Sequence, residues 1–178
     1  TYITNGDNIY NGWTIQPKEM GSYGYSYLTR AALTMQSIGG FPWEEAIYVV
    51  GYKDLSGNEL NGSNNNYILH FNKDELPQVN AFWSLTLYDL PSVMLYDNAI
   101  NRYQIGPQIE EMKFNEDGSL DIYIQHKPPT EKQKHGNWLP APAGKFVLSM
   151  RMYHPKANML QLDAHKVPMP GVQPIKNK

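Results

Sequence analysis

The chain of 178 residues contains no cysteine, so it has no disulfide framework, no thiol nucleophile and no thiolate metal site. Cysteine usage therefore leaves cytoplasm and bacterial periplasm equally open. An excess of charge is also missing: 15 Lys and Arg stand against 17 Asp and Glu, a formal net charge of -2. Without a basic footprint, counterion release cannot drive binding to DNA or RNA, and nucleic acid is not an expected partner. No run approaches the ~18 apolar residues of a spanning helix. The sequence opens at Thr1 with neither an initiator Met nor the regions of a secretory leader, and a mature product or a fragment is expected.

Short catalytic signatures are absent too. There is no Gly-x-Ser-x-Gly elbow, no Gly-x-x-x-x-Gly-Lys phosphate loop and no dinucleotide fingerprint, which removes the simplest routes to a serine hydrolase, an NTPase or a dehydrogenase. His70, His126, His135, His154 and His165 lack the spacings that place two imidazoles on one metal, so no metal or other cofactor is expected. His126 and His135 flank one loop and read as exposed loop residues.

What the chain does have is rings, 13 Tyr and 4 Trp, which favour strands and ligand-stacking surfaces. Its clearest pattern lies in Val79–Asp89, where alternation puts Trp83, Leu85 and Leu87 on one face and Ser84, Thr86 and Tyr88 on the other. A second run, Lys145 to Tyr153, follows a Pro-rich loop at Asn137–Gly144 and offers Lys145, Val147, Ser149, Arg151 and Tyr153 on its off-core side. Ala46–Tyr52 and Tyr67–Phe71 read as further strands. Residues 112–124 read as a hairpin turning at Asp117-Gly118, with Leu120, Ile122 and Ile124 toward the core. One amphipathic helix is expected over Ser22–Ile38, capped by Ser22, stopped by Gly39-Gly40 and striped by Tyr25, Leu28, Ala32, Met35 and Ile38. Six or so short strands with one early helix predict an all-β, antiparallel, jelly-roll-like sandwich. The expected layout is an arm and linking helix at 1–40, the sandwich at 41–155, and an irregular Pro-rich tail at 156–178.

Asn80–Asp89, Asn101-Arg102-Tyr103, Gly118-Ser119-Leu120, Ile124-Gln125 and Asn137–Pro142 together resemble the DUF1214 family, in order over roughly residues 45 to 155. The resemblance implies a jelly-roll-like sandwich and no settled activity. It also implies a bacterial, often exported protein of the periplasm or cell envelope, cytoplasm remaining open. In such proteins this domain commonly follows a sibling domain, DUF1254, and the Tyr-Leu-Thr-Arg-Ala-Ala segment of the early helix resembles the junction between the two.

The candidate ligand-binding residues are Tyr88, Asp89, Asn101, Arg102, Tyr103, Trp138, Arg151 and Tyr153. Hydroxyls, a guanidinium and ring faces on one sheet surface suit a small polyol or glycan. The plainer alternative is a solvated face with Arg151 paired to a carboxylate. Arg102 is either an anion clamp or, preferably, a structural fork with Asp89 or Asp97; Trp138 is a plug of the sandwich end rather than a stacking platform. Three functions stay open: ligand binding or docking onto the sibling domain; a hydrolase or lyase on carbohydrate using Asp89, Arg102 and a Tyr; and a structural module forming homo-oligomers.

Overall fold

The computed structural model describes residues 9–36, 39–163 and 166–176. Two sheets pack face to face. The first runs β1 (Ile9–Tyr10), β2 (Trp13–Ile15), β3 (Ala46–Gly51), β10 (Phe146–Tyr153), β5 (Trp83–Asp89) and β6 (Met94–Leu95), with β7 (Gln104–Ile105) also paired to β5. The second runs β11 (Val172–Lys176), β4 (Asn65–Phe71), β8 (Leu120–Gln125) and β9 (Trp138–Pro140). Pairing is antiparallel except between β8 and β9, and the architecture is the mainly β sandwich that the alternation predicts.

The inner faces meet through side chains one residue in two. Trp83, Leu85 and Leu87 lie in register with Met152, Met150 and Leu148, and all are buried. Opposite them, Tyr67, Leu69 and Phe71 of β4 and Leu120, Ile122 and Ile124 of β8 complete the core. Edge-to-face contact between Tyr67 and Phe146, with centroids 5.7 Å apart, and tilted packing of Phe71 on Trp83 at 6.1 Å join the sheets.

Segments outside residues 41–155 also contribute to the sheets and the core. Asn11 and Gly12, with φ of 51° and 85°, make the two-residue turn between β1 and β2, the geometry a tight hairpin requires. That hairpin inserts Trp13, fully buried, and its indole N–H donates to the Pro170 carbonyl at 2.7 Å. Gly51 pairs with Trp13 because a Cβ there would stand 2.7 Å from the Trp13 ring. Beyond residue 155, Met159, Val167, Met169 and Val172 join the core, α2 (Ala157–Leu160) supplies Met159, and β11 closes the edge of β4.

Three further expectations change. Helix α1 covers Tyr27–Gln36 rather than starting at Ser22, and Ile38 lies outside the described residues. Its expected apolar stripe is largely uncovered, with Tyr25 91 % and Met35 90 % exposed, while Leu33, off that stripe, is buried. Residues 112–115 form no strand; the Asp117-Gly118 turn exists, but β8 pairs with the distant β4 and β9 instead. Trp138-Leu139-Pro140, expected as loop, is β9.

Candidate functional site

On the outer side of the first sheet, the residues between the core positions converge. Ser84, Thr86 and Tyr88 pair in register with Arg151, Ser149 and Val147, and Tyr48 and Val50 of β3 pair with Arg151 and Ser149 from the other side. The polar character was visible in the alternation; its burial was not. Ser84, Thr86 and Ser149 are 3 %, 4 % and 9 % exposed, set among the larger Tyr88, Arg151 and Tyr153 side chains that line the same surface.

A loop lines this surface at an opening in the sheet edge. β6 pairs with the end of β5 at Tyr88 and Asp89, while β7 pairs at Leu85 and Thr86. The chain between them, residues 96–103, has to arch outward. Asn98 holds this arch, its amide donating to the carbonyls of Tyr96 and Arg102 and its Oδ1 accepting from the Arg102 amide, each at 3.0 Å. Under it lies a basin of about 690 Å³ lined by Ser84, Thr86, Tyr88, Asn101, Arg102, Tyr103, Gln104, Arg151 and Tyr153, with Leu95, Ile100 and Ile109 as its apolar side. A second basin, of about 600 Å³, continues across Tyr48, Tyr52, Val147 and Ser149. Tyr88, Arg151 and Tyr153 border both.

Arg151 stands on the divide. Its Nη1 donates to Thr86 Oγ1 at 2.8 Å and its Nη2 to Tyr88 Oη at 2.7 Å, and the guanidinium lies 5.8 Å from the centre of the Tyr88 ring. The expected carboxylate partner does not exist: among the described residues no ion pair includes Arg151, and no Asp or Glu lines either basin. Nearby tyrosines respond to burial. Desolvation raises the Tyr48 hydroxyl above its ordinary range, opposed by its hydrogen bond to the Phe41 backbone and by the Arg151 charge; burial raises Tyr52 likewise. Both stay protonated, as hydrogen-bonding phenols, at neutral pH. Tyr153 is stacked on Phe82 with centroids 4.6 Å apart.

Of the eight candidates, Tyr88, Asn101, Arg102, Tyr103, Arg151 and Tyr153 come together in the first basin. Asn101 has a φ of 50°, and its Oδ1 accepts from the Tyr103 hydroxyl at 3.3 Å. Arg102 makes no carboxylate fork; its Nη1 donates to the carbonyls of His135, Gly136 and Trp138 at 2.7, 3.2 and 2.9 Å. Its charge is thus spent on backbone dipoles, and it fixes the arch to the segment entering β9. Two candidates lie elsewhere. Asp89 has the parity of Trp83 and Leu87 and pairs with Phe146, so strand geometry turns it away from Tyr88. Trp138 is 8 % exposed on β9, its N–H donating to the Gln125 carbonyl at 2.9 Å, and it offers no stacking face to this basin. Tyr48, Tyr52 and Gln104 were missed; the alternation of Ala46–Tyr52 carried the signal for the first two, but only the order of strands places β3 beside β10.

Elsewhere, several charged groups are paired. A cavity of about 690 Å³ outside β4 and β8 contains Lys134, which pairs with Glu131 and lies 5.2 Å from the Tyr123 ring centre. His126 and His135 bond to the carbonyls of Ala141 and Pro129. His70 faces Asp121 at 2.6 Å and Asn72 at 3.3 Å. Among the described residues, no three His, Asp or Glu side chains are grouped to hold a metal ion.

Fold and surface define a β-sandwich domain with one roofed, polar and aromatic outer sheet face. The chain belongs to the family described as "Protein of unknown function (DUF1214)", whose profile matches residues 45–157, more than half its length. Among solved structures it is similar to the VPA0106 protein from Vibrio parahaemolyticus, at 28 % identity and a TM-score of 0.67, over 83 % of this chain and 35 % of that one. It also shares its fold with an uncharacterized protein from Burkholderia cenocepacia, at 16 % identity and a TM-score of 0.53, over 82 % of this chain and 33 % of that one. The chain thus spans about a third of the length of both. No curated protein matches it. None of the described helices is long and apolar enough to cross a membrane.

Proposed function

We propose that this is an exported or cell-envelope bacterial domain that binds a small polyol or glycan-like ligand on the outer face of its first sheet. One observation carries the proposal: Arg151 is held half-buried between the Thr86 and Tyr88 hydroxyls, with no acid beside it, at the junction of two basins. Binding groups on a rigid scaffold, roofed by a loop and mixed with apolar walls, are what a small-ligand site needs. Amides and phenols supply bonds to vicinal hydroxyls, and Leu95, Ile100 and Ile109 supply contact for C–H faces. With Asp89 turned away and no carboxylate in the basins, an acid–base pair is missing from this surface, which favours binding over hydrolysis.

A thermal-shift screen of sugars and polyols tests this. At a hundredfold excess over Kd a ligand adds about 2.7 kcal/mol, a rise in Tm of roughly 5–10 °C for a domain of this size. Tyr88→Phe together with Arg151→Gln is expected to remove the rise. A flat screen, with the double variant indistinguishable from wild type, rejects the proposal.

A second reading concerns α1. In and around it Tyr25, Tyr27, Leu28, Met35 and Phe41 are exposed apolar side chains, the kind of residue that marks an interface where such side chains adjoin, and the matched structures are about three times longer than the portion this chain covers. Such residues suit the sibling domain or a second copy. Concentration-dependent size exclusion of wild type and a Tyr25→Ser, Met35→Ser variant separates the two: self-association lost in the variant assigns a second copy, and a wild type that stays monomeric leaves the sibling domain as occupant.

A further inference from the structure

We infer that the ligand of the Arg151 face carries a carboxylate, and that its chemical class is the sugar acids, hexuronates and aldonates, rather than neutral polyols. This inference rests on the ligand-binding proposal for the same face and adds the charge of the ligand.

An arginine is permanently protonated and offers five N–H donors. In Arg151 two of the five are engaged, one from each terminal nitrogen, so each terminal nitrogen keeps a second N–H. Both acceptors it has found, Thr86 and Tyr88, are neutral hydroxyls. A half-buried cation is normally paired, because withdrawing charge from water is unfavourable unless an opposite charge answers it. Of the other cations lining the cavities of this domain, Lys134 pairs with Glu131, and Arg102 turns its Nη1 to three backbone carbonyl oxygens. Arg151 has no carboxylate partner among the described residues, although Asp and Glu outnumber Lys and Arg in the chain as a whole.

The missing partner is therefore an anion supplied from outside, and the planar fork of a guanidinium matches a carboxylate with two parallel hydrogen bonds. The hydroxyls that brace the guanidinium keep it from folding away when the site is empty, so little ordering remains for binding. Around it the basin offers the Asn101 and Gln104 amides and the Tyr103 hydroxyl, which suit the remaining hydroxyls of a sugar ring, not a simple fatty or aromatic acid.

The test is a set of matched pairs differing only in the acid: galacturonate against galactose, glucuronate against glucose, and gluconate against sorbitol, measured by titration calorimetry and by chemical-shift changes of the Arg151 side chain. A short oligogalacturonide, added in parallel, separates a free acid from one embedded in a polysaccharide; binding of either form supports the inference. The acids are expected to bind wild type and the neutral partners to bind at least about tenfold more weakly. Arg151→Gln is expected to lose about ten- to hundredfold in acid affinity, with Arg151→Lys recovering part of it, since the point charge remains while the fork does not. Equal binding of acid and neutral partners overturns the inference and leaves the polyol proposal standing. Acid binding that survives Arg151→Gln in a folded protein also overturns it, by placing the anion elsewhere. If neither acids nor neutral sugars bind, the ligand face itself fails and the inference with it.

Discussion

On the inner side of β5 and β10, Trp83, Leu85, Leu87, Leu148, Met150 and Met152 are at most 4 % exposed and press against the second sheet. One residue along in each strand, Ser84, Thr86 and Ser149 are nearly as buried, yet their neighbour Arg151 carries a charge that no carboxylate among the described residues neutralises. Both sides are covered, but by different means. Sheet-on-sheet packing is apolar and non-directional, so it tolerates no void and asks for no partner. Loop cover over a polar sheet requires directed hydrogen bonds, and where one is left open it can be completed by a ligand. Changes on the inner side should therefore be read in stability and changes on the outer side in binding.

The largest expected effect lies inside. Leu148→Ala should lower stability by about 2–5 kcal/mol in urea unfolding, whereas Arg151→Gln, three residues away, should shift the midpoint far less and act on ligand affinity. Equal destabilisation by the two would erase the distinction between the faces. Next comes Gly51→Ala, which drives a methyl into the Trp13 ring and should cost about 1–3 kcal/mol through overpacking; a neutral result would mean that the N-terminal hairpin is not part of the inner packing. Arg102→Gln should cost about 1–2 kcal/mol by giving up charged bonds to three carbonyls, with faster amide exchange in residues 98–103. Protection unchanged there would show that the arch is held by Asn98 alone.

The smallest effect is a control on the second sheet. The hydrogen bond that His70 donates to the Asp121 carboxylate is the main cause raising the His70 pKa, opposed by desolvation. A raised folded-state pKa means that the pair stabilises fully below the ordinary value of about 6.5 and loses that stabilisation as pH rises through the folded-state value above it. For a pair this exposed the contribution is about 0.5 kcal/mol. Urea midpoints between pH 6 and 8 should flatten in Asp121→Asn, and a variant that keeps the wild-type slope would assign the titration to another group.

Much of this was legible beforehand. Alternation in Trp83–Tyr88 and in Leu120–Ile124 sorted side chains to the correct sides, because that periodicity is a local property of extended backbone. Segments that defeated it did so for physical reasons. β1 and β2 are two and three residues long, too short for a pattern. Residues 112–115 alternate but join no strand, since β8 pairs with strands remote in the chain and Lys113 bonds instead to the Asn137 side chain. Asp89 stands among the candidate ligand-binding residues beside Tyr88, although strand parity sends it to the opposite side.

The sequence by itself determined the mainly β class, the family and the division of β5 and β10 into apolar and polar sides. Tertiary structure alone decided that the polar side is roofed, that Arg102 serves the backbone and that Arg151 meets Thr86 and Tyr88, 65 and 63 residues away, without an acid. Which side a residue takes follows from its own strand, whereas what stands opposite it depends on the order in which distant strands are laid together.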